Sequence, residues 1–84
     1  MYITGQRIYY TGDMANRSGW GTVTHVRPCQ FYQLNYTLEM MDGRIFSLTP
    51  FEITDSFNGQ STFRFVTKES YDEYRSAAME QYNV

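Results

Sequence analysis

The sequence predicts a mainly β fold with one α-helix: a five-stranded, partly open small barrel closed by a C-terminal helix. Three observations predict it. Apolar and polar residues alternate over short runs, the period of strands half-buried in a sheet. Gly, Pro, Asn and Asp cluster between those runs, where turns need them. From about residue 68 the spacing changes to that of a helix with one apolar stripe. Eighty-four residues are too few for two cores and are read as a single domain. A chain of this length buries only ~60–65% of its unfolded surface, so each large ring counts towards stability. Rings make up 18% of the residues, as eight Tyr, six Phe and one Trp, a density that argues for a packed core over disorder.

The first strand covers about residues 6–11, QRIYYT, with Ile8 and Tyr10 on one face and Arg7 and Tyr9 on the other. Residues 12–19, GDMANRSG, have Gly at both ends and Asp, Asn and Ser between. That is loop chemistry, and the loop is longer than a tight hairpin needs. A second strand over about 20–27, WGTVTHVR, stops at Pro28, whose nitrogen cannot donate to a ladder.

The third strand runs over about 31–40, with Leu34, Tyr36, Leu38 and Met40 on one face. Asp42-Gly43 marks the turn that follows, and the apolar pattern sets its length. A two-residue loop would set Leu38 against Ser47 and Tyr36 against Thr49. A three-residue loop, Met41-Asp42-Gly43, sets Leu38 against Phe46 and Tyr36 against Leu48, so the buried face selects it, with Gly43 left-handed in a bulge.

Strand four covers about 44–49, and Pro50 interrupts it. Residues 51–53 continue as a short strand or one helical turn. Asn58-Gly59 signals another turn before strand five over about 62–66. The helix covers about 68–82, with Thr67 as its cap and Ser70-x-x-Glu73 at capping-box spacing. Its stripe is Tyr71, Tyr74, Ala78 and Tyr82, suited to lie across a barrel mouth or a sheet face.

Within this pattern, GQRIYYTGD, then SGWGTV, then LEMMDGRIFSL followed by Phe51-Glu52-Ile53 resembles a Src-homology-3-like small barrel in the Tudor or KOW style. The shared features are Gly-x-x-Ile-x-Tyr at the opening, Gly-x-Gly-x-Val in strand two and the Asp-Gly-Arg hairpin. The resemblance spans about residues 5–53. It implies a recognition module for peptides, modified side chains or nucleic acid; the acidic C-terminal helix departs from the KOW pattern.

Charge and cysteine content narrow the classes of function. Net charge is −2, with four Arg against three acidic residues over 1–50, and three basic against six acidic over 51–84. Duplex binders present a dense basic face, because counterion release carries most of their affinity, so nucleic acid is disfavoured as a partner. Cys29 is the single cysteine, so the fold has no internal disulfide and suits a reducing compartment. With no leader-like start and no apolar run of membrane length, the expected location is the cytoplasm, away from membranes.

Catalytic chemistry finds little to build on. His25 and Cys29 are two potential zinc ligands where structural sites use four, so no metal is expected. His25 is the only histidine base, and no Gly-x-Ser-x-Gly elbow or Gly-rich phosphate loop accompanies it. The expectation is no enzyme and no cofactor.

What remains is aromatic and arginine placement around the first loop. Alternation sends Tyr9 away from Ile8 and Trp20 away from Val23, and Trp, Tyr and Arg concentrate binding energy at interfaces. Tyr9, Asp13, Asn16, Arg17, Trp20 and Tyr32 are therefore the candidate binding residues. Trp20 has a competing role in packing under the helix, and Asp13 and Asn16 in bonding their own backbone. The expected function is recognition of another protein by this loop-and-aromatic surface, as an accessory or inhibitory protein of a mobile element. Single-stranded nucleic acid bound on exposed rings with Arg support, and self-association as a homodimer, are the alternatives.

Overall fold

The computed structural model describes residues 2–28, 34–59 and 64–82. Among these residues are six strands and one helix: β1 (Arg7–Tyr10), β2 (Gly19–Pro28), β3 (Leu34–Met40), β4 (Ile45–Leu48), β5 (Ile53–Thr54), β6 (Phe65–Thr67) and α1 (Lys68–Tyr82), with a 3-10 turn at Pro50–Glu52. The strands form one curled sheet, an open half-barrel in the order β4-β3-β2-β1-β6-β5. Every pair is antiparallel except β5 with β6. The expected class holds, with one strand more than the five expected. Residues 51–53 supply both of their expected forms in succession, a 3-10 turn and then β5. The expected starts of strands three and five, at 31 and 62, lie outside the described residues, as do Tyr32, Cys29 and the side chain of Tyr82.

The hairpin between β3 and β4 has the register that its apolar pattern requires, Leu38 opposite Phe46 and Tyr36 opposite Leu48. Its turn closes with the Gly43 N–H donating to the Met40 carbonyl at 3.0 Å and the Met40 N–H to the Arg44 carbonyl at 2.8 Å. Gly43 has φ +93°, a conformation that costs a residue with a Cβ. In β2 the register slips between Val23 and His25, so Thr24 is an extra residue opposite β3. The bulge lets Val23 and Val26 both reach the core although they are three apart.

One face of the sheet holds the core: Ile8, Tyr10, Val23, Tyr36, Leu38, Met40, Leu48, Ile53 and Phe65. Gly21 makes this packing possible. A Cβ there would sit 2.8 Å from Met40 Sδ and 2.9 Å from Leu38 Cγ, so the two long side chains lie across bare backbone.

The helix covers the other face. Tyr9, between the core residues Ile8 and Tyr10, points away from them and stacks on Tyr71 of α1 with ring centroids 4.3 Å apart. Val66, between Phe65 and Thr67, is fully buried there. Thr67 caps the helix, its Oγ1 accepting the Ser70 N–H at 3.3 Å. Ser70 does not open a capping box: it lies buried in the first turn, where its Oγ accepts the Phe57 N–H at 2.7 Å and ties the 55–58 loop to the helix. Only the start of α1 is held in this way. Residues 75–77, 79 and 80 are exposed.

Candidate functional site

The loop after β1 is organised by Asp13. Its Oδ1 accepts the backbone N–H groups of Ala15 and Asn16, each at 2.8 Å, while the Asp13 N–H donates to the Asn16 carbonyl at 2.9 Å. The Asn16 amide donates to the same carboxylate, and the buried Tyr10 hydroxyl donates to Oδ2 at 3.0 Å. A carboxylate that accepts so many donors favours its charged form. The Ala15 N–H, followed by the Asn16 amide and the Tyr10 hydroxyl, lowers the Asp13 pKa to about 2. The backbone-bonding role read for both residues is the one Asp13 performs; the Asn16 side chain bonds the Asp13 carboxylate instead. Arg64 braces the loop from outside, its Nη1 donating to the Gly12 carbonyl at 2.8 Å.

This loop and the β3–β4 turn meet at one end of the half-barrel. Between them lies a cleft of about 210 Å³ lined by Arg17, Ser18, Gly19, Trp20, Met40, Met41, Asp42 and Arg44. Arg44 reaches across the end of the core, its guanidinium 5.7 Å from the Tyr10 ring and 5.8 Å from the Phe46 ring. Its Nε is anchored on Asp42 Oδ2 at 2.8 Å. Arg17 shares that carboxylate at 3.6 Å but keeps 83% of its side chain in solvent. The Arg44 side chain and backbone donors hold the Asp42 carboxyl below its ordinary pKa. Met41 and Met14 are both exposed beside this end.

Trp20 has two aspects. It borders the cleft, and it is half-buried in a ring cluster on the helix side of the sheet. Its ring lies 4.9 Å from Tyr9, its cross-strand partner, and 5.5 Å from Tyr71. The Arg7 guanidinium covers it at 5.5 Å and touches Met41 Sδ at 4.0 Å. Tyr9, Asp13, Asn16, Arg17 and Trp20 thus gather at one end of the molecule.

Family models, curated proteins and solved structures contain no match to this chain.

Its own side chains are what bear on function. Of the residues lining the cleft, only Arg17 and Trp20 were among the sequence candidates; Met41, Asp42 and Arg44 are the missed side chains that shape it most. A signal for one of them existed. In a three-residue loop Met41 has no cross-strand partner, so an apolar side chain is left in solvent. Among the described residues no group of three or more His, Cys, Asp or Glu is placed to hold a metal ion, and no helix is long and apolar enough to cross a membrane. The four Arg of the first fifty residues do not share a face. Arg17 and Arg44 meet at Asp42, and Arg7 lies over Trp20. Arg27 is eight residues beyond Gly19 on β2, ~26 Å along the strand.

Proposed function

We propose that the chain is a non-catalytic recognition module that binds another protein through the barrel end around Arg17, Trp20, Met41 and Arg44, in an accessory or inhibitory role. One observation carries this reading. The cleft brings Trp, Arg and Met, residue types suited to binding energy and to adaptable contact, together beside a loop already fixed by its own hydrogen bonds. A preformed surface binds without the cost of ordering a loop. The order β4-β3-β2-β1 and the 3-10 turn after β4 are compatible with a Src-homology-3-like small barrel, an architecture suited to recognition. The nucleic-acid alternative is less well supported. Tyr9, Trp20 and Tyr71 pack on one another instead of offering free faces to bases.

The test is capture from a cytoplasmic extract with the intact chain and with an Arg17→Glu/Met41→Ala variant as baits. Both positions are solvent-exposed, so the variant should melt with the parent. A partner retained by the parent and lost by the variant supports the surface; equal capture by both would refute it.

Self-association has one observation in its favour. β4 is an outer strand of the sheet, with Ile45 exposed on it and Phe51 exposed just beyond. Edges of this kind can pair with a second strand, and mass measured against concentration would reveal it.

A further inference from the structure

We infer that the chain has a second binding site, an acidic aromatic groove between α1 and the 55–57 loop that takes a basic side chain, Arg or Lys, of a partner protein. The groove has a volume of about 380 Å³ and is lined by Asp55, Ser56, Phe57, Ser70, Glu73, Tyr74 and Ala77. Phe57 and Tyr74 stand perpendicular, ring centroids 4.9 Å apart, and form its apolar wall. Asp55 and Glu73 supply two carboxylates, and among the described residues neither forms an ion pair.

The surrounding cations do not neutralise them. Residues 51–84 carry three, Arg64, Lys68 and Arg75, and each is engaged elsewhere. Arg64 donates to the Gly12 carbonyl, Lys68 pairs with Asp72, and Arg75 lies over the Tyr71 ring at 5.9 Å. The groove therefore keeps an uncompensated negative charge next to ring surface. A guanidinium or alkylammonium answers both features, since its charge meets the carboxylates and its stem and cationic head suit the rings.

The walls are built in advance of any ligand. The Ser70 hydroxyl fixes the Phe57 backbone to the helix at 2.7 Å. Tyr74 rests directly on Gly59, where a Cβ would lie 2.6 Å from its hydroxyl oxygen. Rings held by backbone contacts lose little freedom when a side chain enters. This site is independent of the barrel-end cleft and opposite to it in charge.

The test is an NMR titration of the full chain with the peptide acetyl-Gly-Arg-Gly-Lys-Gly-amide. The control is its neutral counterpart carrying citrulline and acetyl-lysine. The charged peptide should produce saturable shifts at Asp55, Phe57, Glu73, Tyr74 and Ala77, and the neutral one should not. Glu73→Gln, at an exposed position, should weaken binding at least fivefold. Glu80→Gln, another exposed helix carboxylate, should leave it unchanged. Equal shifts with the neutral peptide would overturn the inference, and so would equal losses at Glu73 and Glu80, the mark of a diffuse acidic field. If the groove signals move on diluting the protein alone, and stop moving in Arg17→Glu, the occupant is a second copy and the separate partner is refuted.

Discussion

The rings of Tyr9 and Tyr71 lie stacked, centroids 4.3 Å apart and 27° from parallel, and they join the first turn of the helix to the first strand of the sheet. The contact bridges 62 positions of sequence, and Trp20 packs against both rings at 4.9 and 5.5 Å. Tyr71→Ala removes the centre of this cluster. The expected loss is about 2 kcal/mol, below the range for a fully buried ring because Tyr71 is half-exposed. Urea unfolding should show a lower midpoint with little change in slope. An unaltered midpoint would mean that the helix does not hold the sheet.

The helix should divide into a half that the fold needs and a half that it does not. A chain stopped after Val66 loses Ser70, Tyr71 and Tyr74 together and should be unfolded or aggregated, since rings of this kind are worth several kcal/mol against a net stability of about 5–15. A chain stopped after Ala77 keeps all three and should melt within a few degrees of the parent. Dispersed amide resonances distinguish the two outcomes.

Trp20 and Arg17 should separate in their effects. Trp20 is wedged among Arg7, Tyr9 and Tyr71, so Trp20→Ala should lower stability by about 2 kcal/mol whatever it does to binding. Arg17→Ala should leave the thermal midpoint unchanged, because its side chain is 83% exposed and its ion pair with Asp42 is a 3.6 Å contact in solvent. Comparing the two melts decides whether Trp20 can serve as a binding probe at all.

Two glycines test two different constraints. Gly43→Ala meets no neighbouring atom within 4 Å but must hold φ +93°, which costs about 1 kcal/mol. Gly21→Ala meets Met40 and Leu38 at under 3 Å, and overpacking of this kind costs about 1–3 kcal/mol. The melting point should fall by roughly 4–8 °C for each kcal/mol in a domain of this size. Gly21→Ala should be the lower of the two.

Acid should loosen the first loop through Asp13. Its folded pKa is about 2 against an ordinary 3.8, so its contribution is complete above the unfolded value and is lost as pH falls through the folded one. Asp13→Asn should therefore be less stable than the parent at pH 6. The gap between them should narrow steadily below about pH 4 and be nearly closed at pH 2. A gap independent of pH would show that the carboxylate charge is not what orders the loop.

Local alternation and turn chemistry were legible from the sequence, because each depends on neighbours a few residues apart. The β3–β4 register could be derived since only one loop length sets Leu38 and Tyr36 against apolar partners. The start of α1 follows from a cap and a change of period. The bulge at Thr24 left no such trace: Thr22, Thr24 and His25 are polar whichever way they point, so nothing in the alternation marks the extra residue. β5 is two residues long and pairs in parallel with a strand more than ten positions away, which no local pattern reports. The same limit applies to Trp20. Its place on the face opposite Val23 follows from alternation, but its cover is Tyr71, and where a helix docks is decided by distant contacts. Asp13 and Asn16 were readable as loop formers from their side-chain chemistry alone.

The position of β1 in the sheet has a consequence for how the chain folds during synthesis. β1 lies between β2 and β6, with Tyr9 opposite Trp20 on one side and Val66 on the other. The first partner leaves the ribosome soon after β1; the second follows only after some forty-five further residues. Until then the β1–β4 meander has an open flank carrying Ile8, Tyr9 and Tyr10, an unpaired edge of the kind that captures other strands. Closing it is a long-range step of high contact order, slow compared with hairpin formation. Nascent chains are thus most prone to aggregate in the interval between completing β4 and delivering β6, and a translational pause there should lower soluble yield without altering the stability of the finished fold.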